Sequence, residues 1–194
     1  MNQTNKHLLS DRFTEALIYA TRLHNNQVRK GSNVPYISHL LSVTALVLED
    51  GGSEDEAIAA LLHDAIEDQG GDKTRQEIKA KFGEKVAVIV EGCTESDATP
   101  KPPWKERKLA TIKKLHHASS EVRRVILADK VHNARSILTD WYRIGDVVWD
   151  KFKAGKAGTI WYFSSIAEVD RELGSTYLGE ELTRVTAQLR KTET

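Results

Sequence analysis

Residues 59–68 read Ala59-Ala60-Leu61-Leu62-His63-Asp64-Ala65-Ile66-Glu67-Asp68. An apolar run carries a His-Asp pair, and a Glu-Asp pair follows one helical turn later. The spacing predicts a helix in which Glu67 lies at i+4 from His63 and Asp68 at i+4 from Asp64. The apolar neighbours predict that this face is at least partly buried. An imidazole and three carboxylates in such a place need a strong counter-charge, and a divalent metal is the economical one.

Helical periodicity dominates on both sides of this stretch. Asp11 to Asn25 reads as a first helix, with Phe13, Leu17, Ala20 and His24 near one face and Ser10 as its cap. Gly31, Asn33 and Pro35 mark a loop over 27–36. Ser38 reads as the cap of a helix from His39 to Asp50 that stops at Gly51-Gly52. Ser53, with Glu56 at the capping-box position, starts the helix that carries the His-Asp motif as far as Gly70-Gly71. Short helices follow over 74–82, closed by Gly83, and over 84–93. Prolines hold 96–103 as a loop. Helices over 104–117 and 120–138 come next. The final third, 141–189, reads as helical with breaks at Gly155 and Gly158. No run alternates with period two, and no internal repeat is present. The fold class is therefore all-α, a single-domain helical bundle.

Composition narrows the function. Lys+Arg and Asp+Glu are 28 each in 194 residues, so the net charge is zero. That argues against a nucleic-acid binder working through bulk positive charge, though not against a local basic cluster that holds a small anion. The one cysteine, Cys93, leaves no internal disulfide framework and no Cys-rich zinc site. The polar stretch Met1 to Ser10 does not read as a signal peptide, and no apolar run approaches the roughly 20 residues of a membrane span. A cytoplasmic protein without membrane association is expected.

Four positions are candidate metal ligands: His39 at a helix start, His63 and Asp64 within the motif, and Asp129 interrupting the apolar run Val125-Ile126-Leu127-Ala128. Imidazole nitrogens and carboxylate oxygens suit Mn²⁺, Fe²⁺, Zn²⁺ or Mg²⁺. Two His and two Asp neutralise a divalent ion and leave positions free for water and substrate oxygen. Adjacent helical residues point about 100° apart, so His63 and Asp64 can share an ion only near the centre of a bundle. Taken singly, His39 also fits a polar cap, and Asp129 an ion pair with Lys130 or Arg124.

These residues carry a family likeness. The chain resembles the HD-domain metal-dependent phosphohydrolases, and within them the small alarmone hydrolases related to the hydrolase domain of RelA/SpoT proteins and to animal Mesh1. The matching segments are 24–30 (His24-Asn25-Asn26-Gln27-Val28-Arg29-Lys30), 35–40 (Pro35-Tyr36-Ile37-Ser38-His39-Leu40), 60–68 and 127–135 (Leu127-Ala128-Asp129-Lys130-Val131-His132-Asn133-Ala134-Arg135), in family order and with family-like spacing. The resemblance implies His39, His63, Asp64 and Asp129 as metal ligands, with Mn²⁺ as the usual ion. It implies Glu67 and Asp68 as the acidic pair that orients or deprotonates the attacking water. It implies Arg29, Lys30, Asn133 and Arg135 as contacts to a guanine nucleotide. The reaction implied is removal of the 3′-pyrophosphate from ppGpp or pppGpp. Leu40 stands where a proline is frequent in the RelA/SpoT group, and Ser136 where a threonine often contacts substrate. In these terms 1–10 is an N-terminal tail, 11–140 the hydrolase core and 141–194 a C-terminal helical extension packed on the same domain.

Two other functions compete: hydrolysis of a different phosphorylated nucleotide, such as the 2′-phosphate of NADPH, and a catalytically inactive nucleotide-binding module. Without the resemblance, Arg29-Lys30 reads as a solvated loop pair. Trp104-Lys105-Glu106-Arg107-Lys108 reads as a solvated helix start rather than a lid. Trp104, Trp141, Trp149 and Trp161 read as packing anchors, Cys93 as a small buried apolar residue, and His116-His117 as a surface pair. His132 carries no assignment.

Overall fold

A computed structural model describes residues 9–96 and 100–192 as helices joined by short turns. The expected tail over 1–10 lies outside the described residues as far as residue 8, and so do 97–99 of the expected loop over 96–103. Among the described residues no strand forms; an isolated antiparallel bridge, Val28 to Pro35, closes the first loop.

Helix α1 (Asp11–Leu23) opens on Ser10, whose hydroxyl accepts from Arg12 N–H. Helix α2 (Ile37–Glu49) starts earlier than expected. Tyr36 is already helical at φ −60°, ψ −30°, and the carbonyls of Pro35 and Tyr36 accept from Ser38 and His39 N–H. Ser38 is therefore inside the helix rather than its cap. Helix α3 (Glu54–Leu62) has the expected capping box: Ser53 Oγ accepts from Glu56 N–H, and Glu56 accepts from Ser53 N–H.

The expected continuous helix through the His-Asp motif is interrupted. Helix α3 ends at Leu62, His63 and Asp64 form a turn, and α4 is the single turn Ala65–Asp68. The cause is local. His63 Nδ1 lies 2.8 Å from the carbonyl of Ala60 and donates to it, so the imidazole itself closes the end of α3. Asp68 N–H reaches the Asp64 carbonyl at 2.9 Å, so Asp64 opens the single turn of α4.

Helices α5 (Asp72–Phe82) and α6 (Glu84–Cys93) meet at Gly83, whose φ of +91° suits glycine. Helix α7 (Trp104–Leu115) precedes α8, which spans Ser120–Ile144 and so outruns the expected stop at Leu138. A 3₁₀ segment (Gly145–Lys151), α9 (Gly155–Glu172) and α10 (Tyr177–Arg190) complete the chain. Gly158 does not break α9. It sits within the helix, where a Cβ would meet Ala154 at 2.4 Å and the Trp104 ring at 3.5 Å.

Two helices organise the packing. On α3, Ile58, Leu61 and Leu62 are fully buried, and the helix touches α1, α2, α6 and α8. Fully burying each such side chain contributes about 1.5–3 kcal/mol. Helix α8 contacts α2, α3, α6, α9 and α10. Its Arg124 reaches back to Asp50 at 2.8 Å and also pairs with the buried Glu56, so one cation ties together the ends of α2 and α3. The motif turn, α2 and α8 thus converge at one point.

Candidate active site

Three segments deliver one cluster of four ligands. His39 comes from α2, His63 and Asp64 from the turn after α3, and Asp129 from α8. His39 Nε2 lies 3.6 Å from Asp64 Oδ2 and 3.3 Å from Asp129 Oδ1. His63 Nε2 lies 3.0 Å and 3.8 Å from the same two oxygens. His39, His63 and Asp129 each offer a donor atom within 4.8 Å of the others. The continuous-helix geometry expected for His63 and Asp64 is absent, yet the turn brings both side chains to the same point.

The donor set fits a cation. His63 donates its Nδ1 proton to Ala60, so Nε2 is the ring atom left to face the cluster, and this buried atom has no hydrogen-bond partner. A lone pair set 3.0 Å from a carboxylate oxygen is repulsive unless something positive lies between them. A cation, or a proton on Nε2, can take that place. Burial opposes charge on His63, but Asp64 and Asp129 outweigh it and hold its pKa well above the usual imidazole value. Burial likewise opposes ionisation of Asp64 and Asp129. His63 outweighs it for Asp64, and Lys130 with the two imidazoles for Asp129, so both stay well below the usual carboxylate range.

Each ligand is held from behind. Tyr36 Oη donates to Asp64 Oδ2 at 2.5 Å. Lys130 Nζ lies 2.5 Å from Asp129 Oδ2, and Asn133 donates to Asp129 Oδ1. His39 Nδ1 lies 2.7 Å from His132 Nδ1. Burial, then His39 and Arg29, push the His132 pKa down to about 4, so this ring is neutral near pH 7. Lys130 and Asn133, close to Asp129 in sequence, stood out beforehand; the Tyr36 and His132 contacts did not, because they join distant segments.

The acidic pair divides. Asp68 Oδ2 accepts from Gln27 Nε2 at 2.8 Å, and burial, Asp64 and Glu67 raise its pKa. Glu67 turns the other way: its carboxylate accepts from Lys101 Nζ at 2.7 Å and from Glu95 N–H at 3.1 Å. Both acids line a cavity of about 420 Å³ with the four ligands.

That cavity adjoins a second, of about 660 Å³, and the two share Arg29, Lys30, Tyr36, Lys108, Lys130, Asn133 and Tyr162. The first is ringed by cations. The second adds Phe152, Phe163 and Trp104 and reads as a groove with an apolar floor. Arg29 Nη2 donates to Asn133 Oδ1 at 2.6 Å, and Lys30 lies 5.8 Å from the Phe152 ring centre. Arg135 lines the groove, but its guanidinium donates to Glu181 Oε1 at 2.7 and 3.0 Å. The Arg107-Lys108 pair is not a solvated helix start. Both side chains line the cavity and pair with Glu95, Lys108 at 2.7 Å, and each is only 17% exposed. Trp149 is buried as expected of an anchor, whereas Trp104 reaches the groove. Cys93 is half-buried and lines the cavity, and burial raises its thiol pKa.

Residues 16–160 match the HD domain family. The chain belongs to the HD-domain family. This HD-domain protein is 39% identical over 126 residues to a Xenopus tropicalis protein named guanosine-3′,5′-bis(diphosphate) 3′-pyrophosphohydrolase MESH1, covering 63% of this chain and 68% of that one. The crystal structure of lmo0812 from Listeria monocytogenes EGD-e superposes with a TM-score of 0.70 at 32% identity, over 79% of this chain and 99% of that one. A metazoan orthologue of SpoT, described as hydrolysing ppGpp, superposes at 0.77 over 95% of this chain and 98% of that one. At 24% identity it speaks for the all-α fold. HD-domain hydrolases are metal-dependent, in keeping with the donor set above. Among the described residues no helix is long and apolar enough to cross a membrane.

Proposed function

We propose that this chain is a 3′-pyrophosphohydrolase of ppGpp and pppGpp that releases pyrophosphate and leaves GDP or GTP, with Mn²⁺ as the cation. The observation that carries the reading is the buried, unpartnered His63 Nε2 set among His39, Asp64 and Asp129 at the acidic end of a cation-lined groove. The names of the relatives point to the same substrate.

His39, His63, Asp64 and Asp129 would hold the ion, which when bound acidifies water and polarises a phosphoryl oxygen. Asp68 accepts the proton of the attacking water, a role suited to a carboxylate with a raised pKa. Glu67, braced by Lys101 and Glu95, orients that water. The water oxygen bonds to the phosphorus nearest the ribose, and the 3′ oxygen leaves with a proton. Arg29, Lys30, Lys108 and Lys130 neutralise the phosphates. The apolar groove accepts the base, with Asn133 at the junction. Arg135 contributes from the groove wall, its charge shared with Glu181. Residues 11–140 make up the hydrolase core, and the C-terminal extension packed on it contributes Lys151, Phe152, Thr159, Tyr162 and Phe163 to the groove wall.

The test is a product assay. Protein stripped with a chelator should be inactive, and adding Mn²⁺ should restore equimolar release of pyrophosphate and GDP from ppGpp. Release of phosphate from NADPH with ppGpp untouched would overturn the substrate. No turnover of either by Mn²⁺-bound protein would leave a binding module.

A further inference from the structure

We propose that His132 is a positioning residue with two faces: Nδ1 accepts the proton that fixes His39 as a ligand, and Nε2–H is thereby presented to the nucleotide groove. The two Nδ1 atoms lie 2.7 Å apart, so a single proton is shared between them. It can sit on either ring. Only when it sits on His39 is His39 Nε2 free to offer a lone pair toward the space beside Asp64 and Asp129, at 3.6 and 3.3 Å. His132 Nδ1 is then the acceptor, and its remaining proton must be on Nε2.

The position of His132 gives that proton a use. The ring is half-buried and lines the 660 Å³ groove, while it is absent from the wall of the 420 Å³ cavity around the ligands. Among the described residues the hydrogen bond of the His132 ring is the one at Nδ1. The imidazole thus spans the boundary between the two cavities. A cation held by His39 sets the tautomer of His132, and the groove gains a directed N–H donor for a ribose or phosphate oxygen. The second half of this inference rests on the groove being the nucleotide site; the first half does not.

Three variants separate the faces. Asparagine places an amide oxygen near the Nδ1 position, glutamine places its amide near Nε2, and alanine removes both. Chelator-stripped proteins are titrated with Mn²⁺, following free Mn²⁺ by electron paramagnetic resonance. Loss of a hydrogen bond behind a ligating histidine typically weakens metal binding about 10- to 100-fold, so His132→Ala and His132→Gln should show that loss, and His132→Asn should stay within about threefold of wild type. At saturating Mn²⁺, His132→Asn should raise KM for ppGpp with kcat little changed. Wild-type affinity in His132→Ala, or equal loss in Asn and Ala variants, would overturn the positioning role. An unchanged KM in the Asn variant would overturn the groove-facing role.

Nitrogen-15 spectra of histidine-labelled wild type loaded with Zn²⁺ need no variant to fold. They should show His132 as the neutral Nε2–H tautomer, and an Nδ1–H tautomer would refute the proposal. Neither the titration nor the spectra depend on the substrate, so failure of the ppGpp assay alone would leave the link from His132 to His39 standing.

Discussion

Replacing Tyr36 by Phe removes one oxygen and leaves a ring. That ring stacks on His24 at 5.4 Å and 20° and meets His39 edge-on at 5.4 Å and 66°, contacts that phenylalanine keeps. The oxygen donates to Asp64 Oδ2 at 2.5 Å. Burial and Asp64 raise the phenol pKa, so the proton stays in place and the bond is to an ionised acceptor. A hydrogen bond to a charged group is worth about 1.5–3 kcal/mol. With the ion bound, the bond fixes which lone pair of Asp64 faces it. Its loss should weaken Mn²⁺ binding by about 10- to 100-fold, or about 1.4–2.8 kcal/mol. In the metal-free protein His39 and His63 remain beside Asp64, so stability should fall by no more than about 1 kcal/mol, roughly 2–4 °C in Tm. Isothermal titration of stripped protein with Mn²⁺, paired with metal-free melting curves, measures both. An affinity within twofold of wild type would refute the view that Tyr36 sets the orientation of Asp64. Equal losses of affinity and metal-free stability would assign the effect to packing.

Gly179→Ala should lower the melting temperature by about 4–8 °C, at about 2 kcal/mol of overpacking. The new Cβ would fall 1.9 Å from Asp170 Oδ2, the oxygen that accepts from Thr176 N–H at 2.8 Å, and unchanged melting would show that α9 and α10 can part at no cost. For Glu95, burial opposes ionisation but Lys108 outweighs it, so the folded pKa lies below the ordinary value. Its ion pairs therefore stabilise above the unfolded pKa of about 4.3 and are lost as pH falls through the lower folded value. The stability gap between wild type and Glu95→Gln in urea melts should be constant above about pH 5.5 and shrink below about pH 4; a gap that widens in acid would refute the assignment. Arg135→Ala should raise KM for ppGpp, whereas Glu181→Gln, which frees the guanidinium, should not; a rise in both would place the role of Arg135 in holding α10 to α8.

Much of the helix pattern was legible because its signals are local. Helices α1, α5 and α6 fall close to the expected spans, Ser53 and Glu56 make the expected box, and Gly83 stops α5. The break after Leu62 was not legible. His63 and Asp64 keep right-handed dihedral angles, and the His63 ring takes up the Ala60 carbonyl that a continuing helix would use. Gly158 misled for a related reason: a glycine that lies close against Ala154 within a helix looks the same in sequence as one that ends a helix. The family motifs marked the ligands, and the structure brings His39, His63, Asp64 and Asp129 together. Two of their supports escaped notice because Tyr36 reaches Asp64 and His132 reaches His39 across long sequence separations, where no periodicity connects them. Arg107 and Lys108 read as solvated because their counter-charge, Glu95, belongs to the preceding helix connection.

Helix α8 is 25 residues long and carries Arg124, Asp129, His132, Asn133 and Arg135, each committed to a residue on another segment. Such a rod behaves like a camshaft. Deleting one residue between Asp129 and Arg135 would turn everything downstream by about 100° and shift it by about 1.5 Å, so that lobes cut for the catalytic centre and for α10 would fall out of phase together. Evolution can exchange the side chains on this rod one at a time, but it can alter their spacing only by rebuilding every bearing at once.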